Sequence, residues 1–317
     1  MKLHQLQALV ASAEAGSIRG AARTLGLSQA AVTRALRELE TSQGLPLLVR
    51  ATEGISLTEY GKVLLTHAKL ALNQLSRAQN ELARLRGRSE ERLSIGITPW
   101  ITLTFLTETV LSFRQRMPNV RLELFESLMA VAQPLLRTGD MDFAIGPLHS
   151  SAAMQEFACE PILTYETAIL VRDGHPRQAC RSIHDLLDQD WVLNFARDGR
   201  ETLLEYLFYR HGAMIDEQRI VRAQSLGMQQ ILVENADMCT WCPAIIAAAP
   251  SFRIPLRALS LKERFEPIGL SIITRRNGTL SSAARCFVEC LLQAIRRHAR
   301  SARKEDVALF ETLTLLA

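Results

Sequence analysis

The 317 residues are 48% hydrophobic and 22% charged, which fits two or three globular domains with apolar cores, and no apolar run reaches the roughly 18 residues of a membrane-spanning helix. His4, Gln5 and Gln7 interrupt the apolar core that an N-terminal export signal needs, so the expected compartment is the cytoplasm, with the six cysteines as free thiols. The net charge of +4 is unevenly spread: residues 1–88 carry 12 Lys and Arg against 6 Asp and Glu, a net +6, leaving −2 on the remainder, so contact with a polyanion is expected at the N-terminal end.

Leu6, Leu9, Val10 and Ala13 share one helical face. Gly16 and Ser17 interrupt that helix, and Ser17 is a natural N-cap for a second short one carrying Ile18, Ala21, Ala22 and Leu25. Gly26, Leu27 and Ser28 form a tight turn, with Ser28 capping a third helix from Gln29 to about Glu40. Ala31, Val32, Ala35, Leu36 and Leu39 are assigned to its buried side, which leaves Gln29, Ala30, Thr33, Arg34 and Arg37 facing outward. An amide for an adenine edge, methyl-bearing side chains for thymine and guanidinium groups for guanine or phosphate suit the DNA major groove. A short helix, a three-residue turn and a helix with a polar outer face together read as a helix-turn-helix.

The run Ala21-Ala22, Leu25, Leu27-Ser28-Gln29, Ala31-Val32-Thr33, Leu36, Leu39-Glu40, followed by Gly44, Leu47, Arg50, Leu57-Thr58 and Gly61, resembles the LysR-type transcriptional regulators. The chain departs from that pattern at Ala30, where proline is usual, at Leu48-Val49 in place of a more usual Phe-x, and in the wing Ala51-Thr52-Glu53, where a basic residue is common. The resemblance implies an N-terminal winged helix-turn-helix over 1–58, with DNA contacts from Ser17, Arg19, Ser28, Gln29, Ala30, Thr33, Arg34, Arg37, Arg50 and Thr52.

Leu64, Ala68, Ala71, Leu75, Ala78, Leu82 and Leu85 follow at alternating spacings of four and three, an a/d seam that needs a partner. In the family this linker helix pairs two subunits, so 59–91 is expected to be a dimerisation helix and hinge. Beyond it, Leu93, Ile95 and Ile97 alternate as a strand, Pro99 opens a helix to about Arg116, residues 120–125 alternate again, a helix follows near Met129–Arg137, and Asp142–Gly146 is a third strand. The β-α-β-α-β order predicts a parallel, doubly wound sheet. Pro161–Arg172 reads as an extended crossover, and residues 267–274 return as a strand before a helix over Ser281–Arg297. The expected fold is therefore α/β: winged helix-turn-helix, long linker helix, and a two-lobed, periplasmic-binding-protein-like effector domain over 92–304. Lobe I is assigned 92–161 and 267–304, and lobe II 162–266. A tail over 305–317 is amphipathic and docks either on a lobe or on a partner.

Catalytic signals are weak. Cys239 and Cys242 have redox or half-zinc spacing but read as part of a strand ahead of Pro243. Asp140 and Asp142 read as a turn acid and a strand-end acid, and no nucleophile elbow or phosphate loop is present. No cofactor, metal or enzymatic activity is expected; the competing class is a thiol-based redox sensor or thiol–disulfide enzyme using Cys239 and Cys242. Ligands of open α/β sheets bind beyond the carboxyl ends of strands. That criterion selects Thr98, Trp100, Ile101, Ser127, Leu128, Gly146 and Pro147 from one lobe, and Phe195, Arg197, Ser225 and Pro243 from the other. The expected partners are operator DNA, a small effector, probed first as an anion, and a second copy of the chain in a dimer or tetramer. RNA polymerase is a further candidate, and no membrane is expected.

Overall fold

The computed structural model describes residues 1–51, 54–85, 91–126, 129–147, 156–195, 199–248, 255–276 and 278–316. They fall into two compact units, 1–91 with 134–141, and 92–133 with 142–317.

In the first unit, α1 (Leu3–Ala15), α2 (Ile18–Leu25) and α3 (Gln29–Gln43) precede a hairpin of β1 (Leu48–Ala51) and β2 (Gly54–Leu57), then α4 (Glu59–Leu85). Local chemistry sets these boundaries. Ser17 Oγ accepts from the Gly20 N–H and Ser28 Oγ from the Ala31 N–H, each at 3.1 Å, the side-chain caps expected of serine at a helix start. Gly26 takes φ 65° in the turn between α2 and α3, a conformation costly for a residue with a Cβ. Leu9, Ala21, Val32 and Leu39 are fully buried in the core of the three helices, joined by Leu47 from the start of the wing. Ala31, assigned to that core, is exposed; Val32 fills the position. Gly61 sits so close to the wing that a Cβ would lie 2.1 Å from the Leu47 carbonyl oxygen.

The heptad seam of α4 divides in two. Leu64 packs against the three-helix core and Ala68 is 1% exposed, while Lys69 pairs with Glu14 of α1 at 2.7 Å. Ala68 is therefore covered within the chain, which corrects its assignment to a subunit interface, and Leu64 is half-buried there. Ala71, Leu75, Ala78 and Leu82 are exposed, and only the backbone of Leu85 is described.

The second unit holds a six-stranded sheet ordered β13-β6-β12-β5-β3-β4. Its strands are β3 (Glu91–Ile97), β4 (Val120–Glu126), β5 (Phe143–Pro147), β6 (Phe157–Tyr165), β12 (Ile268–Arg275) and β13 (Leu313–Leu315). β3 and β5 are parallel, but β12 runs antiparallel to both β5 and β6, so the sheet is mixed rather than wholly parallel. Helices α5 (Pro99–Leu103), α6 (Leu106–Arg116), α7 (Met129–Thr138), α10 (Ser282–Ala299) and α11 (Lys304–Phe310) accompany it. The expected continuous helix to Arg116 is broken at Thr104 and Phe105, where the fully buried Phe105 turns into the core.

A second sheet contains β7 (Thr167–Arg172), β8 (Trp191–Leu193), β9 (Ile220–Arg222), β10 (Thr240–Pro243) and β11 (Leu256–Ala258), with α8 (Arg200–Leu207) and α9 (Leu226–Asn235). β10-β7-β11 and β8-β9 are joined by a parallel bridge from Trp191 to Cys239. The expected crossover over Pro161–Arg172 is two strands, one in each sheet, meeting at Glu166. Pro161 does not end β6 because it lies at a register shift against Leu270 and Ser271, where a missing N–H is tolerated; the first sheet keeps the chain through Tyr165. The tail joins this same sheet: β13 pairs antiparallel with β6, and Asp306 of α11 accepts from His298 Nδ1 at 2.6 Å.

Candidate nucleic-acid interface and effector cleft

On α3, Gln29, Ala30, Arg34 and Arg37 are exposed and Thr33 is half-buried. Ala30, Thr33, Arg34, Arg37 and Thr41 line one shallow groove along the helix. Among the described residues Arg19, Arg34 and Arg37 form no ion pair, so their charge is available to a polyanion. Glu38, the acid on the same groove, is held by Gln5 Nε2 at 3.2 Å. Glu40, which the sequence offered only as a motif residue, anchors the wing: its Oε1 accepts from the backbone N–H groups of Leu47 and Leu48 at 2.8 and 3.1 Å. Arg50 is described in its backbone alone, paired with Ile55, and Thr52 and Glu53 lie outside the described residues.

In the second unit, Thr98 follows the last residue of β3, and its N–H donates to the Ile145 carbonyl at 2.9 Å. Thr98 stands at the N-cap of α5, but its hydroxyl makes no capping bond, and α5 is only five residues long. A helix this short offers few aligned peptide dipoles to an anion at Thr98. Trp100 and Ile101 are 1% and 0% exposed, and Trp100 packs against Tyr165 and Phe105 with ring centroids 5.2 and 6.4 Å away. Both are core residues, a correction to the expectation that Trp100 covers a ligand. Gly146 and Pro147 end β5, with Gly146 paired to Ser271 and Pro147 to Leu270 of β12. Ser127, Leu128 and Arg197 lie outside the described residues.

From the second sheet, Phe195 is 9% exposed. Its carbonyl accepts from Arg222 Nε at 2.9 Å, and the Arg222 guanidinium carbon lies 5.8 Å from the Phe195 ring centroid. Arg222 ends β9 and brings to this end a cation that the sequence criterion does not select. Ser225 caps the ten-residue α9 through Oγ and the Met228 N–H at 3.2 Å. The Leu226 N–H points to the six-stranded sheet, where Glu126 Oε1 accepts it at 3.2 Å. Glu126 was also missed; its signal is its place as the last residue of β4. Pro243 ends β10 opposite Thr167.

The cysteine pair is divided by the second sheet. Cys239 packs with Trp191 and Leu193, whereas Cys242 joins the core that contains Leu170 and Val192. Burial pushes the Cys239 thiol up to about 12 and raises Cys242 as well, the opposite of an activated thiolate. Asp140 accepts from Asn73 and from Thr138 Oγ1, and Asp142 from the Ser94 N–H at 2.8 Å, so both acids have structural partners. Among the described residues no group of three or more His, Cys, Asp or Glu is placed to hold a metal ion, and no helix is long and apolar enough to cross a membrane.

Residues 3–62 match the family described as "Bacterial regulatory helix-turn-helix protein, lysR family", and residues 86–296 match "LysR substrate binding domain". The HTH-type transcriptional regulator TdcA of Escherichia coli (strain K12) is 26% identical over 274 residues, spanning 86% of this chain and 87% of TdcA. GalR of Pseudomonas putida is 30% identical over 305 residues, spanning 93% of this chain and 74% of GalR. The crystal structure of CbnR, a LysR family transcriptional regulator, superposes with a TM-score of 0.63 at 21% identity, covering 93% of this chain and 99% of CbnR. Full-length CbnR complexed with target DNA gives 0.61 at 22% identity, covering 93% of this chain and 100% of that one.

Proposed function

The chain belongs to the LysR family of bacterial transcriptional regulators, with a helix-turn-helix and an effector-binding domain, and from that premise we propose that it reads operator DNA through α3 and answers to a small anionic effector held between its two sheets. The observation that carries the DNA reading is the outward set of α3. Gln29, Thr33, Arg34 and Arg37 lie along one face of a helix whose start is fixed by Ser28, and the arginines are not neutralised by neighbours. The exposed half of the α4 seam, Leu75, Ala78 and Leu82, supports pairing of two chains, which sets two reading helices about one turn of DNA or a multiple apart. A dimer of such dimers and a contact to RNA polymerase complete the reading, in the cytoplasm where the DNA lies.

The anionic class is supported by two features of the cleft. The N-terminus of α9 already receives a carboxylate, that of Glu126, and an anion is favoured at such an end. Arg222 supplies a guanidinium beside Phe195. An effector bridging the lobes binds their closed arrangement better than the open one, and shifts the population by that difference in affinity. Calorimetry with a library of carboxylates, on wild type and Thr98→Val, tests the site. Binding that is indifferent to Thr98 removes it from the strand ends named here.

A further inference from the structure

The register of the six-stranded sheet places three small residues in one row at its cleft edge. Ile97 pairs with Ile145, so Thr98 follows beside Gly146, and Gly146 pairs with Ser271. Residues in register on neighbouring strands project to the same face, so the hydroxyls of Thr98 and Ser271 flank a glycine with no side chain between them. Ile97 and Ile145 face the main core, so this row points to the opposite face.

Ser271 is 1% exposed, and its Oγ has no hydrogen-bond partner among the described residues. A buried hydroxyl left unpaired is unfavourable, and in native proteins it calls for an explanation. Above the row lies one flexible side chain: from the position of a Cβ on Gly146, Met129 Sδ is 3.5 Å away and Met129 Cγ 3.7 Å. Methionine has three rotatable bonds and adapts to irregular space, and Met129 is the first residue of α7. Thr98 and Ser271 are separated by two strand spacings, roughly 9–10 Å. One carboxylate laid over Gly146 spans that gap with a hydrogen bond of about 2.7 Å to each hydroxyl.

We infer that Ser271 is an effector-binding residue, donating through Oγ to an anionic oxygen of the ligand after the Met129 side chain swings off Gly146. The inference rests on the proposed anionic effector and adds to it a contact on β12, which enters the cleft edge by its amino end and so lies outside the set of carboxyl strand ends. It also assigns Met129 as the group the ligand displaces.

The test is calorimetry of the full-length protein with acetate, propionate and succinate, on wild type, Ser271→Ala, Thr98→Val and Met129→Ala, with thermal melts of each without ligand. Ser271→Ala should weaken binding of the responding carboxylate about 10-fold or more, as expected for a lost hydrogen bond to a charged group. Its melting temperature should stay level or rise, because an unpaired hydroxyl has been removed. Met129→Ala should tighten binding, since nothing then has to be displaced. Loss of affinity in Thr98→Val with wild-type affinity in Ser271→Ala would overturn the role of Ser271 and leave the cleft reading standing. Binding of none of the three acids would overturn the anionic reading and this inference with it. A Ser271→Ala protein that melts several degrees lower would show that the hydroxyl serves the apo fold, which also overturns the inference.

Discussion

Glu126 Oε1 accepts a 3.2 Å hydrogen bond from the backbone N–H of Leu226, one hundred residues further along the chain. The bond joins the end of β4 in the six-stranded sheet to the start of α9 beside the second sheet. The carboxylate therefore occupies the helix end at which an anionic ligand is best received.

Glu126 and an anionic effector then compete for the same N–H groups. Glu126→Gln removes the charge while keeping the shape, and the effector should bind several-fold more tightly to it than to wild type. Calorimetry on the two proteins measures this. Equal affinity, or weaker binding in the glutamine variant, would show that Glu126 does not compete with the ligand.

The division of the α4 seam predicts two different outcomes for the same kind of change. Leu75→Glu with Leu82→Glu should leave the fold intact and abolish pairing through α4, read as monomers in light scattering and the loss of cooperative operator binding. Ala68→Glu should instead unfold the first unit, because it buries a charge against α1; a loss of several kcal/mol is expected, visible as early melting. Pairing that survives the double leucine change would place the subunit interface elsewhere.

The tail carries a pH signature. Burial alone raises the Asp306 carboxyl, but hydrogen bonds from Ser301 and His298, with Arg303 nearby, outweigh it and hold the group below its ordinary value. A carboxyl depressed in the folded state stabilises above its unfolded pKa, about 3.9, and loses that contribution as pH falls through the folded value. Asp306→Asn should lower the melting temperature at pH 7 by about 2–4 °C, roughly 1 kcal/mol in a chain of this size class. The gap to wild type should close as pH drops below about 4. A gap that persists at pH 3 would mean that packing, not charge, fastens α11 and β13.

Much of the first unit was legible because its determinants are local. The period of Leu6, Leu9, Val32 and Leu39, the serine caps and the glycine at the turn all act within a few residues. The heptad spacing of α4 was equally plain, but spacing does not say what covers a seam, and α1 covers part of it. The cleft was legible only as a set of strand ends. Whether a strand-end residue faces a ligand or the core depends on where the next element goes, and Trp100 turns inward onto Tyr165 and Phe105. Glu126, Arg222 and Ser271 were missed for the same reason in reverse: their positions are set by pairings between segments far apart in the chain. The tail was ambiguous until β6 showed an open edge for β13.

The most direct measurement is of DNA binding by full-length protein to a site recovered by genome-wide mapping of its bound sequences. Fluorescence anisotropy across a salt series compares wild type with Gln29→Ala, Arg34→Ala and the double variant. Each lost base contact should cost about 1–3 kcal/mol, with relaxed specificity at one position. A side chain that grips phosphate instead weakens all sequences alike and lowers the salt slope by about one. Unchanged affinity, specificity and salt slope in the double variant would contradict the assignment of α3 as the reading helix.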